Sequence, residues 1–275
     1  MTAAPVPYFG GKQRIAHQIA ALLPAHQHYV EPYAGGLSVL FAKRPAPMET
    51  VNDIDGHIMA FWRVLRDRPE ELARVCALTP HSRSEHAEAA DVDGPGDDLE
   101  HARRVWVRLT QGRTGQLRST GWRYHVNPAG SSMSMSAYLR GYVQRMLPAA
   151  ERLHRVSLEC KPALELIQQY GQHPDVLLYL DPPYLGSTRT GSTTGYRMEM
   201  AGESDHAEML AAIADLPCAV VLSGYASDQY DGALTDWDRV EIAASTGQGS
   251  VWSERTEVLW SNREVSTPAL FGGAS

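Results

Sequence analysis

The order of apolar and polar positions divides the chain into three stretches. In the first 75 residues a Gly-containing loop leads to a helix predicted near 12–23, then to a strand HYVEP that ends at the small-residue turn Tyr33-Ala34-Gly35-Gly36. A second helix is predicted over 37–42 and a short strand over ETVNDID. A third helix follows from Ile58, Phe61, Trp62 and Leu65, which recur at three- and four-residue spacing. Strand and helix in alternation open a parallel sheet, because parallel neighbours need a crossover. The pattern breaks at 81–100 (HSRSEHAEAADVDGPGDDLE), a polar, acidic stretch holding Gly-Pro-Gly that reads as an exposed linker. Beyond it HARRVWVRL predicts a helix, 111–135 a Gly/Ser/Thr-rich loop, and 137–153 another helix.

From RVSLEC onward the alternation resumes. ALELIQQY reads as a helix, and DVLLYL is the continuous apolar run of a strand buried on both faces, stopping at Asp181. A polar loop over 186–202, a helix HAEMLAAIADL, a strand CAVVLSGY and two strands near RVEIAA and TEVLWSN complete the pattern. The expected fold class is α/β: a doubly wound, Rossmann-like sheet over 1–75 and 156–275, with an inserted, mainly helical segment at 76–155.

A length of 275 residues suits one large domain or a catalytic domain carrying such an insertion. No run of 18 apolar residues is present, so no membrane association is expected. The beginning MTAAPVPYFGGKQR has no signal pattern, and the cytoplasm is the expected compartment. Cys76, Cys160 and Cys218 are an odd, scattered set without a CxxC pair. That argues against a disulfide framework and a structural zinc, and no metal site is expected.

Charge changes the picture more. The chain carries −7, yet 101–155 holds ten arginines, no lysine and one acid, Glu151. That segment is +9, which leaves −16 elsewhere. Only one region is suited to a polyanion. Arg103, Arg108, Arg113, Arg118, Arg123 and Arg140, interleaved with Trp106, Trp122, Tyr124 and Tyr138, are the expected contacts, most to phosphate and one or two to guanine edges.

Three constellations carry candidate chemistry. Asp181-Pro182-Pro183-Tyr184 follows a buried strand, at the sheet edge where open α/β folds bind ligands. The Asp181 carboxylate and the Pro182 carbonyl could hold an amino group between them, beside the Tyr184 ring. Val30-Glu31-Pro32-Tyr33-Ala34-Gly35-Gly36 ends another strand, and about 20 residues on stands Asp53, with Asp55 as its rival, at the spacing used to grip a ribose. The turn lacks GxGxxG, which disfavours a nicotinamide or flavin enzyme. Pro7-Tyr8-Phe9-Gly10-Gly11-Lys12 fails the phosphate-loop template, because Val6 stands where the first glycine is required and Gln13 follows the lysine.

In this order PYFGGK, VEPYAGG, VNDID, DPPY, SGY and TEVLWSN, with the basic segment before DPPY, resemble the Dam-like family of DNA adenine N6-methyltransferases across most of the chain. The resemblance implies a methyltransferase sheet, S-adenosylmethionine as cofactor and double-stranded DNA as substrate, with no obligatory protein partner. It implies that Tyr8, Gly11 and Lys12 cradle the cofactor, that Glu31, Pro32, Tyr33, Gly35, Ile54 and Asp181 line its site, and that Asp53 holds the ribose. It further implies that Asp181, Pro182, Pro183 and Tyr184 form the catalytic tetrapeptide. Where relatives carry an Asp-Phe pair beside the cofactor adenine, this chain has Pro162-Ala163. Cytosine N4, an RNA base or a protein glutamine are alternative acceptors, and a DNA-binding protein without catalysis is the alternative class.

Overall fold

The computed structural model describes residues 2–118, 120–124, 134–184, 202–247 and 252–265. Five strands pair in parallel: β1 (His28–Glu31), β2 (Met48–Asn52), β3 (Val156–Glu159), β4 (Val176–Leu180) and β5 (Ala219–Gly224). β6 (Asp238–Gly247) and β7 (Trp252–Ser261) close one edge, β7 running antiparallel to both β5 and β6. The order is β3-β2-β1-β4-β5-β7-β6. Its direction of growth reverses between β1 and β4, so a crevice opens at their carboxyl ends.

Every residue of β4 is buried, and the strand period of two sorts its side chains. Leu177 and Tyr179 enter the apolar cluster on one face, Leu178 and Leu180 the cluster on the other. The second face is covered by α9 (Ala163–Tyr170), α10 (Glu203–Ile213) and α11 (Asp228–Ala233), through residues such as Ile167, Met209 and Tyr230. The first face carries α1 (Ala16–Ala21), α2 (Ser38–Ala42), α3 (Gly56–Asp67) and α4 (Pro69–Leu78).

That face also receives the helices of the basic segment, α6 (Asp98–Gln111), α7 (Met135–Val143) and α8 (Met146–Leu153). Val105, Trp106 and Leu109 of α6 and Met146 and Leu153 of α8 share one cluster with Ile58 and Trp62 of α3. The core under this segment is therefore continuous with that of the sheet.

Several elements differ from expectation for local reasons. The stretch 81–100 is not merely a linker: α5 (Arg83–Glu88) forms there, its first turn capped by the Ser82 hydroxyl accepting from the Glu85 amide. α6 begins at Asp98 because the Asp97 carboxylate accepts from the Glu100 amide. The helix expected over 137–153 is two helices. Pro148 is tolerated only in a first turn, and the break at Gln144-Arg145 puts it there. The loop expected over 186–202 lies outside the described residues up to Ala201, as do 125–133 of the loop expected over 111–135. Among the described residues, no helix is long and apolar enough to cross a membrane.

Candidate active site

At the carboxyl ends of β1, β2 and β4 lies a cavity of about 500 Å³. Glu31 and Pro32 reach it from β1, Asp53 and Ile54 from the turn after β2, Asp181 from the end of β4, and Tyr8, Gly11 and Lys12 from the loop before α1. Close packing dictates the glycines. Gly35 has φ +43°, and a Cβ there would stand 2.8 Å from the Tyr8 ring, while one on Gly11 would stand 2.9 Å from the Tyr8 carbonyl oxygen. The Gly35 carbonyl accepts from the buried Trp62 indole at 3.0 Å, which ties the turn to α3.

The two acids after β2 both line the cavity but are held differently. Asp55 caps α3, its carboxylate accepting from the His57 amide at 3.0 Å. Asp53 faces the cavity and accepts from the amides of Gly35 and Asp55, both at 2.9 Å. Burial pushes its carboxyl up to about 6, against the opposing pull of those amides. Each oxygen keeps a lone pair for a ligand. Ile54 is exposed at 45% although apolar, and Pro162 and Ala163 line the same cavity. The Ser38 hydroxyl, also in the lining, is buried without a hydrogen-bond partner among the described residues. Glu31 is buried beneath it, accepting from the Tyr29 hydroxyl at 2.9 Å, and burial raises its carboxyl to about 8.

Lys12 joins the cavity to the tetrapeptide. Its buried ammonium donates to Asp181 at 2.5 Å, to the Tyr184 hydroxyl at 2.5 Å and to the Gly10 carbonyl at 3.2 Å. Burial pushes the Asp181 carboxyl above the ordinary carboxylate range; Lys12 opposes that, and Glu257 of β7 reinforces it. The Tyr184 ring packs on Tyr225 with centroids 4.3 Å apart. Glu257 is a residue that sequence reasoning passed over, although it lies within TEVLWSN; an acid directly before the buried apolar run Val258–Trp260 was the available signal.

The arginines need correction. Arg108 is 2% exposed on α6, with a guanidinium that donates to the Arg118 carbonyl, so it cannot meet a phosphate. Arg103 is largely buried between Glu100 at 2.6 Å and Glu85 at 3.1 Å. Arg123 is committed to the carbonyls of Gly112 and Arg113 and to the Tyr138 hydroxyl. Arg113 and Arg140 are exposed, and Arg118 is half-buried. An outward feature does exist: His81, Trp122 and Tyr124 stack in series, at 4.5 and 5.6 Å between centroids. Exposed Arg83 lies over Trp122 and Tyr124 at 4.6 and 5.1 Å, and Arg113 lies 5.7 Å from Tyr124. Arg83 was concealed in the acidic stretch and is a second omission.

Among the described residues, one His/Asp cluster, His57, Asp93 and His101, has its ligand atoms within 4.8 Å of one another. His57 presents Nδ1 to His101 at 3.1 Å and Nε2 to Asp93 at 3.7 Å, so its two neighbours face different nitrogens.

Comparison with known proteins adds a family profile, a relative and two solved structures. A profile described as D12 class N6 adenine-specific DNA methyltransferase matches residues 8–91 and 143–240. The Type II methyltransferase M1.LlaDCHI of Lactococcus lactis subsp. cremoris is 25% identical over 270 residues, which covers 92% of this chain and 93% of that protein. Among solved structures, precorrin 8W decarboxylase of Methanobacterium thermoautotrophicum matches 95% of both chains at 10% identity and a TM-score of 0.37. Precorrin-6Y C5,15-methyltransferase of Geobacter metallireducens matches 90% of this chain and 87% of that one at 10% identity and 0.32. Scores that low carry no argument.

Proposed function

Because the chain belongs to the D12 class of N6 adenine-specific DNA methyltransferases, we propose that its strand-end cavity binds S-adenosylmethionine and that Asp181 and the Pro182 carbonyl hold the N6 amine of a flipped-out adenine at its rim. The chain is a DNA adenine-N6 methyltransferase; the assignment of cofactor and residues is our reading. The observation that carries it is the Asp181 carboxylate, set at the end of β4 on the cavity and held by Lys12.

The residues fit the cofactor. The Ser38 hydroxyl, without a hydrogen-bond partner among the described residues, the glycine cradle around Tyr8 and the exposed apolar face of Ile54 all face the cavity, and Asp53 keeps lone pairs there. When bound, the cofactor supplies an electrophilic methyl group on a sulfonium. Asp53 would accept from its ribose hydroxyls, Ile54 and Pro162 would cover its adenine ring where relatives use an Asp-Phe pair, and Glu31 would face its cationic end. The target N6 lone pair is delocalised into the purine, so the protein must localise it. Asp181, kept ionised by Lys12, accepts a hydrogen bond from one N6–H and the Pro182 carbonyl accepts one from the other, while the Tyr184 ring supports the base. Orientation of this kind is worth about 7–11 kcal/mol of barrier. Flipping costs a few kcal/mol, which stacking partly offsets.

The segment 76–155 is proposed as the target-recognition region, with Arg83, Arg113, Trp122 and Tyr124 as its DNA-facing group. Their exposed arginine-aromatic stack supports this, as does the span 92–142 lying between the two matched parts of the family profile. The similarity to a Type II methyltransferase supports site-specific marking in a restriction-modification setting. The test is methylation of duplex DNA with labelled S-adenosylmethionine, followed by base analysis. N6-methyladenine is expected, and N4-methylcytosine would overturn the assignment of the acceptor.

A further inference from the structure

Glu257 lies on the one strand that runs against the parallel direction, and that is how a residue of β7 reaches the carboxyl edge of the sheet. In the antiparallel register Gly224 faces Val258, so the next residue of β7, Glu257, lies just beyond the end of β5 and beside the tetrapeptide. It is 3% exposed. The Ser223 hydroxyl donates to its Oε1 at 2.6 Å, the Tyr184 hydroxyl to its Oε2 at 3.2 Å, and the Lys12 ammonium stands 3.6 Å away.

The polarity of these bonds is determined by chemistry. An ammonium only donates, and Lys12 donates to Gly10, Asp181 and Tyr184. The Tyr184 oxygen therefore accepts from Lys12, and its hydroxyl donates to Glu257. Two charges of opposite sign thus clamp one phenol, and Tyr225 covers a face of its ring.

We propose that Glu257 is a positioning residue for methyl transfer: it fixes the Tyr184 ring through its hydroxyl and shares the Lys12 charge with Asp181. This rests on the assignment of Asp181 and Tyr184 made above. Asp181 is faced by Lys12 from the loop before α1, Glu31 from β1, Tyr179 within β4, Tyr230 of α11 and Glu257 from β7. Ser223 and Tyr225 close the site from β5, and Ile242 is the β6 residue opposite Glu257.

Glu257→Gln keeps the size of the side chain and one acceptor, replaces the other acceptor with a donor and removes the charge. Its kcat should fall about ten- to a hundredfold, the usual loss when a group that orients another is changed. Dissociation constants for S-adenosylmethionine and DNA should stay within about threefold, under half a decade in affinity. The acid limb of kcat against pH should move to lower pH, because a neighbouring negative charge that hinders ionisation of Asp181 is gone. A residue needed only for folding would lower activity without moving that limb. Wild-type kcat with an unmoved limb overturns the proposal. If the variant does not bind the cofactor, Tyr184→Phe, which keeps ring and carboxylate, is measured instead; a fall in kcat of about tenfold or more is expected, and an unchanged kcat overturns the proposal. Asp181→Ala run in parallel separates the two levels: if it still methylates, the assignment of the site fails; if it is inactive while Glu257→Gln is normal, only the role of Glu257 fails.

Discussion

In the strand-end cavity, Glu31, Asp53 and Asp181 converge with Lys12 as the cation among them, and Glu257 approaches the same lysine from β7; in the basic segment the arginines disperse, most of them to a nearby carboxylate or carbonyl. The cavity is a buried surplus of one sign, which the protein itself does not balance. Burying a charge without a partner is costly, so such a group keeps its proton until a ligand compensates it. The segment shows the converse. Arg103 is met by Glu85 and Glu100, and Arg152 of α8 forks onto buried Glu49 of β2. Net charge counted along the sequence is thus a poor guide to which cations are available, whereas uncompensated buried charge marks where a cationic ligand belongs.

The largest effect should come from Asp181→Ala. Methyl transfer should fall by at least about a thousandfold, comparable to removing a preorganised hydrogen-bonding group from the reacting centre. Cofactor affinity should stay within about tenfold, or 1.4 kcal/mol. Single-turnover methylation and equilibrium binding measure the two, and equal loss of both would undo the division of labour between rim and cavity.

Next in size is the contrast between Asp53 and Asp55. Asp53→Ala should weaken cofactor binding about ten- to a hundredfold, since hydrogen bonds to a charged acceptor are worth about 1.5–3 kcal/mol. Asp55→Ala removes a helix cap and should cost about 0.5–2 kcal/mol of stability, leaving cofactor affinity nearly intact. Calorimetry on both variants checks this, and the opposite pattern would transfer the ribose to Asp55.

The uncompensated acids also predict a pH dependence. Glu31 and Asp53 titrate near 8 and 6 in the folded protein, above their ordinary values of 4.5 and 3.8, chiefly through burial. A raised carboxyl stabilises the fold while protonated, and that contribution is lost as pH rises through the folded value. The ligand-free protein should therefore lose stability from about pH 4 to about pH 8, by an amount on the order of a few kcal/mol from Glu31 alone. Glu31→Gln should flatten this loss in thermal melts while weakening cofactor binding. A melt series for that variant parallel to the wild type would remove Glu31 from the account.

Much of this site was legible in the sequence because strand ends fix where a side chain goes. Once DVLLYL is a buried parallel strand, Asp181 must stand at the sheet edge, and HYVEP places Glu31 there by the same logic. Less was legible where a contact depends on distant partners. Glu257 enters because β7 is antiparallel, which no local pattern announces. The split between α7 and α8 is written locally in Pro148, and the cap of α5 in Ser82 and Glu85, within stretches whose dominant pattern is charge. The arginines were least legible, since a long side chain reaches partners several turns away.

The smallest expected effects concern those arginines, and they test the contrast most directly. If the stack of Arg83, Trp122, Tyr124 and Arg113 faces DNA, Arg83→Ala and Arg113→Ala should each flatten the slope of log affinity against log salt by nearly one unit, the share of one phosphate contact. An arginine that instead reads guanine would cost about 1–3 kcal/mol on the cognate duplex, relax preference at one position and leave the slope almost unchanged. Arg103→Ala should do neither. Its removal leaves Glu85 and Glu100 without their shared cation, so it should lower thermal stability while the salt slope of the folded protein stays at the wild-type value. Arg108→Ala opens a hole in the packing of α6 and should behave in the same way, with a larger loss of stability because its guanidinium is buried. Affinity measured across a salt series on cognate and scrambled duplexes, with a melt of each variant, separates the two groups. Were Arg103 and Arg108 to change the slope while Arg83 and Arg113 did not, the DNA-facing surface would lie on the other side of α6, and the arginine-aromatic stack would be a structural brace.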